Sequence, residues 1–146
     1  MNIATQSYNE ICIEIKTLNE RIAELHRERK FIFSRMYDNG PKGVGVVDYS
    51  AERVTGGQVA MQLDQVVYRL NEIDKKIDQL VSFLEIKRDV RDRIDKIIQS
   101  SEDLDMRVTY MRDYKRLPLQ VIADDLGYSY DHVKRISSRN EKLVSS

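Results

Sequence analysis

The sequence predicts an all-α protein, an antiparallel coiled-coil hairpin followed by a compact group of short helices, on three observations. Apolar residues recur at intervals of four and three over two long stretches, a glycine-rich segment separates those stretches, and residues 101–146 hold three short helical runs. The 146-residue length leaves room for one small core plus an extended helical part and excludes a multi-domain enzyme. Charged residues make up 33% of the chain and apolar residues 41%, a balance that suits long solvated helices. The 24 Lys and Arg against 24 Asp and Glu cancel, so no global charge points to a partner.

The first row runs Ile11, Ile15, Leu18, Ile22, Leu25, Ile32 and Met36, with Arg29 as its one interruption. It predicts a long helix from about Tyr8 to Met36, in a first segment spanning 1–36. Tyr37 to Gly57 carries five of the six glycines and one of the two prolines and is expected to be a loop. A second row, Val59, Leu63, Val66, Leu70, Ile73, Ile77, Leu80 and Leu84, predicts a second long helix and connector over 58–100. With Met36 beside Gln58, antiparallel partners have numbers summing to about 94, so Ile11 is expected to meet Phe83 or Leu84.

Beyond Leu84 the next seam positions are Lys87 and Arg91, while apolar residues sit at Phe83, Ile86, Val90, Ile94 and Ile97. This displaced stripe is expected to leave the first helix. It would pair with its mate in a homodimer or, as the competing use, pack on Leu104, Val108 and Met111 of the same chain.

Ser100, Ser101, Glu102 and Asp103 signal a helix start, and Leu104, Val108, Met111 and Tyr114 form one short helical face. Pro118 opens a helix over Leu119 to Leu126, Gly127 stops it, and Ser129 caps the last helix. The spacing is that of a helix-turn-helix: Ala123 is small at the crossing, Gly127 takes the left-handed turn, and Leu126, Val133 and Ile136 fix the angle. Asp131, Lys134, Arg135, Ser138 and Lys142 then lie on the exposed side of the second helix, a mixture that suits a DNA groove.

Leu104 to Arg139, through Met111-Arg112-Asp113-Tyr114, Ile122-Ala123, Leu126-Gly127-Tyr128-Ser129 and Val133-Lys134-Arg135, resembles sigma-factor region 4. With the hairpin placed first, the layout resembles phage and prophage transcriptional regulators of the ArpU/RinA type. Arg116-Leu117-Pro118 departs from that pattern, standing where such modules carry Ser or Thr before the Ile-Ala helix. The resemblance implies a non-enzymatic, sequence-specific regulator of phage late genes in the cytoplasm of a bacterial host. Double-stranded DNA is its implied partner, with RNA polymerase a further candidate. The implied DNA-binding residues are Ser129, Tyr130, Asp131, Lys134, Arg135, Ser138, Arg139 and Lys142. Lys134 and Arg135 are expected at base edges, and Arg139 and Lys142 at phosphates. Two other readings stand beside it, a small-terminase-like DNA-packaging subunit forming a ring, and an interaction protein whose helix-turn-helix binds RNA polymerase.

Residues 128–146 carry a net charge of +2 and Ser101 to Gly127 a net charge of −2, so non-specific DNA affinity should be weak and sensitive to salt. Other chemistry finds little support. A lone Cys12 with His26 and His132 cannot assemble a four-ligand zinc site, and no cofactor is expected. Cys12 reads as an inert flanking thiol, His26 as a residue beside the seam, and His132 as a partly buried packing residue. Asp124 and Asp125 point about 100° apart on a helix and read as an acidic surface. Gly40 to Gly45 matches half of a phosphate loop, but Val46 and Val47 stand where Lys and Ser or Thr are needed. No apolar run exceeds three residues, so no membrane span is expected, and the first residues lack the pattern of a secretory signal.

Overall fold

The structure, a computed structural model, describes residues 3–38 and 63–143. Two long helices, α1 (Ile3–Asp38) and α2 (Leu63–Ser100), pack as a hairpin and are followed by α3 (Leu104–Asp113), α4 (Leu119–Leu126) and α5 (Tyr130–Arg139). Helix α1 extends past the expected bounds at both ends, taking in Tyr37 and Asp38. Val59, the Gly40 to Gly45 segment and the rest of the expected loop to Gly57 and of the helix start at 58 lie outside the described residues. The chain divides into two compact units, one of residues 17–84 and one of residues 1–16 together with 85–146.

In the first unit the two apolar rows meet as their spacing requires. Leu25, Ile32, Val66, Ile73 and Ile77 form a buried cluster flanked by Ile22, Leu70 and Leu80, while Leu63 is 62% exposed. Arg29, the interruption in the first row, donates through Nε to Asp74 at 2.7 Å, and Arg69 donates to Glu28 at 3.2 Å. Both pairs are largely solvated and contribute register more than stability. The partner numbers in these pairs sum to 103 and 97 rather than 94, so the register is shifted from the expected one.

The second unit corrects the expectation for the end of α2. The heptad row does not fail at Leu84; it continues as Lys87, Arg91, Ile94 and Ile98, with two cations in the seam. Lys87 pairs with Glu14 of α1 at 2.5 Å, and Arg91 turns to Asp92 at 2.8 Å. Ile98 is fully buried with Met106 and Tyr110, and Ala4, Tyr8, Ile94 and Tyr114 pack around them. The first turns of α1 therefore stay beside the last turns of α2. Of the displaced stripe only Ile94 enters this core, whereas Phe83, Ile86 and Ile97 are 55%, 57% and 60% exposed. The stems of such cations cover apolar surface while their heads stay wet, so a Lys or Arg need not end a seam.

Helix α3 is buried on two sides. Asp103 caps it by accepting from the Met106 N–H at 3.1 Å, and Ser101 Oγ accepts from the Asp103 N–H. One side of the helix, Met106 and Tyr110, lies with the following Tyr114 in the cluster with α1 and α2. The other side, Leu104 and Val108, packs on Ile122, Ala123, Val133 and Ile136 of α4 and α5, and Met111 serves both clusters. Leu104 and Val108 thus hold the last two helices rather than the expected stripe, while Met111 also joins the cluster that Ile94 of the stripe enters.

The α1 and α2 side of this unit also contains a small polar network. Tyr110 donates to the Asp95 carboxylate, which Lys115 also approaches at 3.2 Å, and Tyr8 meets Tyr110 edge-on at 5.1 Å between ring centroids. Burial pushes the Tyr110 phenol far up, and its bond to Asp95 adds to that shift. Burial also acts to raise Asp95, but the bonds from Tyr110, Gln99 and Lys115 outweigh it and hold the carboxyl below its ordinary value. The Cys12 thiol is pushed up by burial, against the Tyr8 hydroxyl and the charges of Arg91 and Lys16, which suits an inert thiol.

Candidate nucleic-acid interface

Helices α4 and α5 are joined by a three-residue turn whose chemistry matches its shape. Gly127 has φ of 74°, and its N–H reaches the carbonyls of Ala123 and Asp124 while the Tyr128 N–H donates to Ala123 at 3.0 Å. This closes the end of α4 with a left-handed residue that costs glycine nothing sterically. Ser129 follows in extended backbone and accepts from the His132 N–H at 3.3 Å, capping α5. Ala123 is 1% exposed between the helices, and Val133 and Ile136 turn the buried side of α5 inward. A Cβ at position 127 would meet no atom within 4 Å, so the demand for glycine is one of backbone conformation alone. Gly127→Val should therefore cost about 1 to 3 kcal/mol through φ, with the turn and the aim of α5 disturbed. Thermal unfolding followed by circular dichroism checks this, and an unchanged midpoint would place the strain elsewhere.

The start of α4 departs from the capped pattern, as its sequence does. Pro118 sits at the N-cap position without a side-chain hydrogen bond, and Arg116 takes the left-handed conformation at φ of 53°. The turn is closed instead by the Leu117 N–H, which donates to the Met111 carbonyl at 3.1 Å. Arg116 thus occupies a backbone region that glycine would enter more cheaply.

The outer side of α5 brings Asp131, Lys134, Arg135, Ser138 and Arg139 together around one shallow depression of about 520 Å³. All five are exposed, opposite the buried Val133 and Ile136. Three cations against one carboxylate make this face locally positive in a chain of zero net charge. Tyr130, in the first turn of α5, is 41% exposed, and the Ser129 hydroxyl is committed to the cap. Ser138 Oγ donates back to the Lys134 carbonyl at 2.9 Å. His132 is exposed rather than partly buried and stacks on Tyr128 at 5.4 Å, since the buried slot beside it is filled by Val133. Lys142 also departs from its expected place. Helix α5 ends at Arg139, so Lys142 follows the helix and is not part of its outer face.

The agent that ends α5 there was not legible in the sequence. Arg112 of α3 donates through Nη1 to the Ser137 carbonyl at 2.7 Å and the Asn140 carbonyl at 3.3 Å, and through Nη2 to the Glu141 carbonyl at 3.0 Å. Its other contacts are to Ser137 Oγ and to the carboxylate of Asp113. Asp113 in turn accepts from the Leu143 N–H at 2.7 Å. A planar cation at the negative end of the helix satisfies carbonyls that the helix itself leaves unpaired. Burial acts to raise Asp113, yet Arg112 and the Leu143 N–H prevail and hold its carboxyl below the usual range. No local signal could reveal this clamp, because 25 to 29 residues separate the donor from its acceptors.

Among the described residues no group of three or more His, Cys, Asp or Glu side chains could hold a metal ion, and no helix is long and apolar enough to cross a membrane. Comparison with protein-family models, with curated proteins and with solved structures finds no match to the chain.

Proposed function

We propose that the α4-turn-α5 unit is a sigma-region-4-like helix-turn-helix that binds double-stranded DNA in a sequence-dependent way, and that the protein is a non-enzymatic transcriptional regulator, of phage late genes on the resemblance stated above. The observation that carries this reading is the face of α5, where Lys134, Arg135, Ser138 and Arg139 stand exposed on a helix whose aim is fixed by the Gly127 turn, the Ser129 cap and the Arg112 clamp. A major groove admits one α-helix, and long cations at its outer side reach guanine edges or phosphates. The small local excess of positive charge supports contacts that position a reader more than bulk attraction, because non-specific affinity grows with the number of phosphates neutralised.

Selection of bound sequences from random duplex DNA at near-physiological salt tests the proposal. Enrichment of one motif is the expected result, and no enrichment would overturn it. On the selected duplex, Arg135→Ala should cost about 1 to 3 kcal/mol of binding and relax preference at one base pair. Lys142→Ala, beyond the helix, should weaken all sequences alike and by less. Equal, sequence-independent losses for the two would remove the assignment of Arg135 to a base edge.

A further inference from the structure

The cations on the outer face of α5 are not equally available. Arg139, 67% exposed, is the last residue of the helix, and its Nη2 donates to both oxygens of the Asp105 carboxylate, at 2.8 and 2.7 Å. Asp105 lies in the first turn of α3 and also accepts from Asn140 Nδ2 at 3.3 Å, while that same amide donates to the Ile136 carbonyl at 2.9 Å. Among the described residues neither Lys134 nor Arg135 has a carboxylate within ion-pair range. One cation of the face is thus neutralised from a neighbouring helix and the others are not.

We propose that Asp105 masks Arg139, competing with DNA phosphate for its guanidinium and so restraining sequence-independent binding without touching the groups aimed at bases. This rests on the DNA-binding reading above. The chemistry is that of one anion displacing another. A phosphate approaching Arg139 must take over a donor that already serves a carboxylate, and must do so beside the negative charge it displaces. Because the pair is solvated, holding it adds little to stability, so the carboxylate matters most for what it withholds. Arg139, expected from sequence to be a phosphate contact, becomes a weak one in the native chain. The α3 carboxylate then acts as a specificity device, since loss of general phosphate attraction leaves base contacts to decide where the protein stays.

The test uses the full chain with a fluorescein-labelled duplex of random sequence, and the readout is anisotropy across a salt series. Asp105→Asn should bind about 2- to 10-fold tighter, with a slope against log salt steeper by about 0.9, the release of roughly one counterion. Asp105→Ser, which also shortens the acceptor, should give the same gain if charge is the cause. In the Arg139→Ala background Asp105→Asn should give no gain, a coupling that a merely structural carboxylate would not produce. Unchanged or weaker binding by both Asp105 variants, with helix content unaltered, would overturn the mask. So would an Arg139→Ala loss in the native chain equal to that of Lys134→Ala. If Lys134→Ala and Arg135→Ala leave binding of the selected duplex unchanged, the DNA reading itself fails and the mask falls with it.

Discussion

Arg112→Ala should lower the free energy of unfolding by about 3 to 5 kcal/mol, among the largest losses available to a single change in this chain. The side chain is 15% exposed and its partner Asp113 5%, so removal of the cation strands a buried carboxylate. It also frees the carbonyls of Ser137, Asn140 and Glu141 at the end of α5, each of which must then find water. Arg112→Lys keeps the charge but cannot present a planar fork to several acceptors at once, so an intermediate loss is expected. Urea unfolding followed by circular dichroism measures both. A loss below about 1 kcal/mol for Arg112→Ala would mean that the clamp is dispensable.

Ile98→Ala and Ile97→Ala should differ far more than their adjacency suggests. Ile98 is fully buried against Met106 and Tyr110, so truncation leaves a cavity and should cost about 2 to 5 kcal/mol. Ile97 is 60% exposed on the other side of the same turn, and its loss should fall within about 0.5 kcal/mol. If the two variants unfold at the same urea concentration, the seam does not run through Ile94 and Ile98.

That pair also marks where the sequence was readable and where it was not. Periodicity located both long helices, the glycine and the caps located α3, α4 and α5, and Pro118 to Ser129 fell on the observed boundaries. These signals are local, each carried by residues within one or two helical turns. Errors arose where a local rule met a distant partner. Lys87 looked like the end of a seam because Glu14, which pairs with it, stands on another helix. The register differs from the expected one because nothing local to either row tells how far along helix two its contacts with helix one begin. On the candidate interface, Lys134, Arg135 and Ser138 followed from the 100° step of a helix, as did the buried Val133 and Ile136. Lys142 did not, because the end of α5 is fixed by Arg112.

The sharing of α3 between two clusters has a consequence for the order in which the chain can assemble during synthesis. Ala4 and Tyr8 find Ile98, Met106 and Tyr110 only after about a hundred further residues have been made, whereas Leu25, Ile32, Val66 and Ile73 are all present much earlier. A chain emerging amino end first closes its middle before its beginning. Until Tyr110 arrives, the first turns of α1 have no aromatic partner at 5.1 Å to dock on and must wait, helical or not, with Tyr8 uncovered. When α3 does appear it closes the cluster around Ile98, and the cluster around Val108 closes only once α4 and α5 have followed. The last step of folding is therefore also the step that sets α5 in place, and a released chain truncated near residue 100 should hold a formed hairpin by circular dichroism while lacking the face of α5.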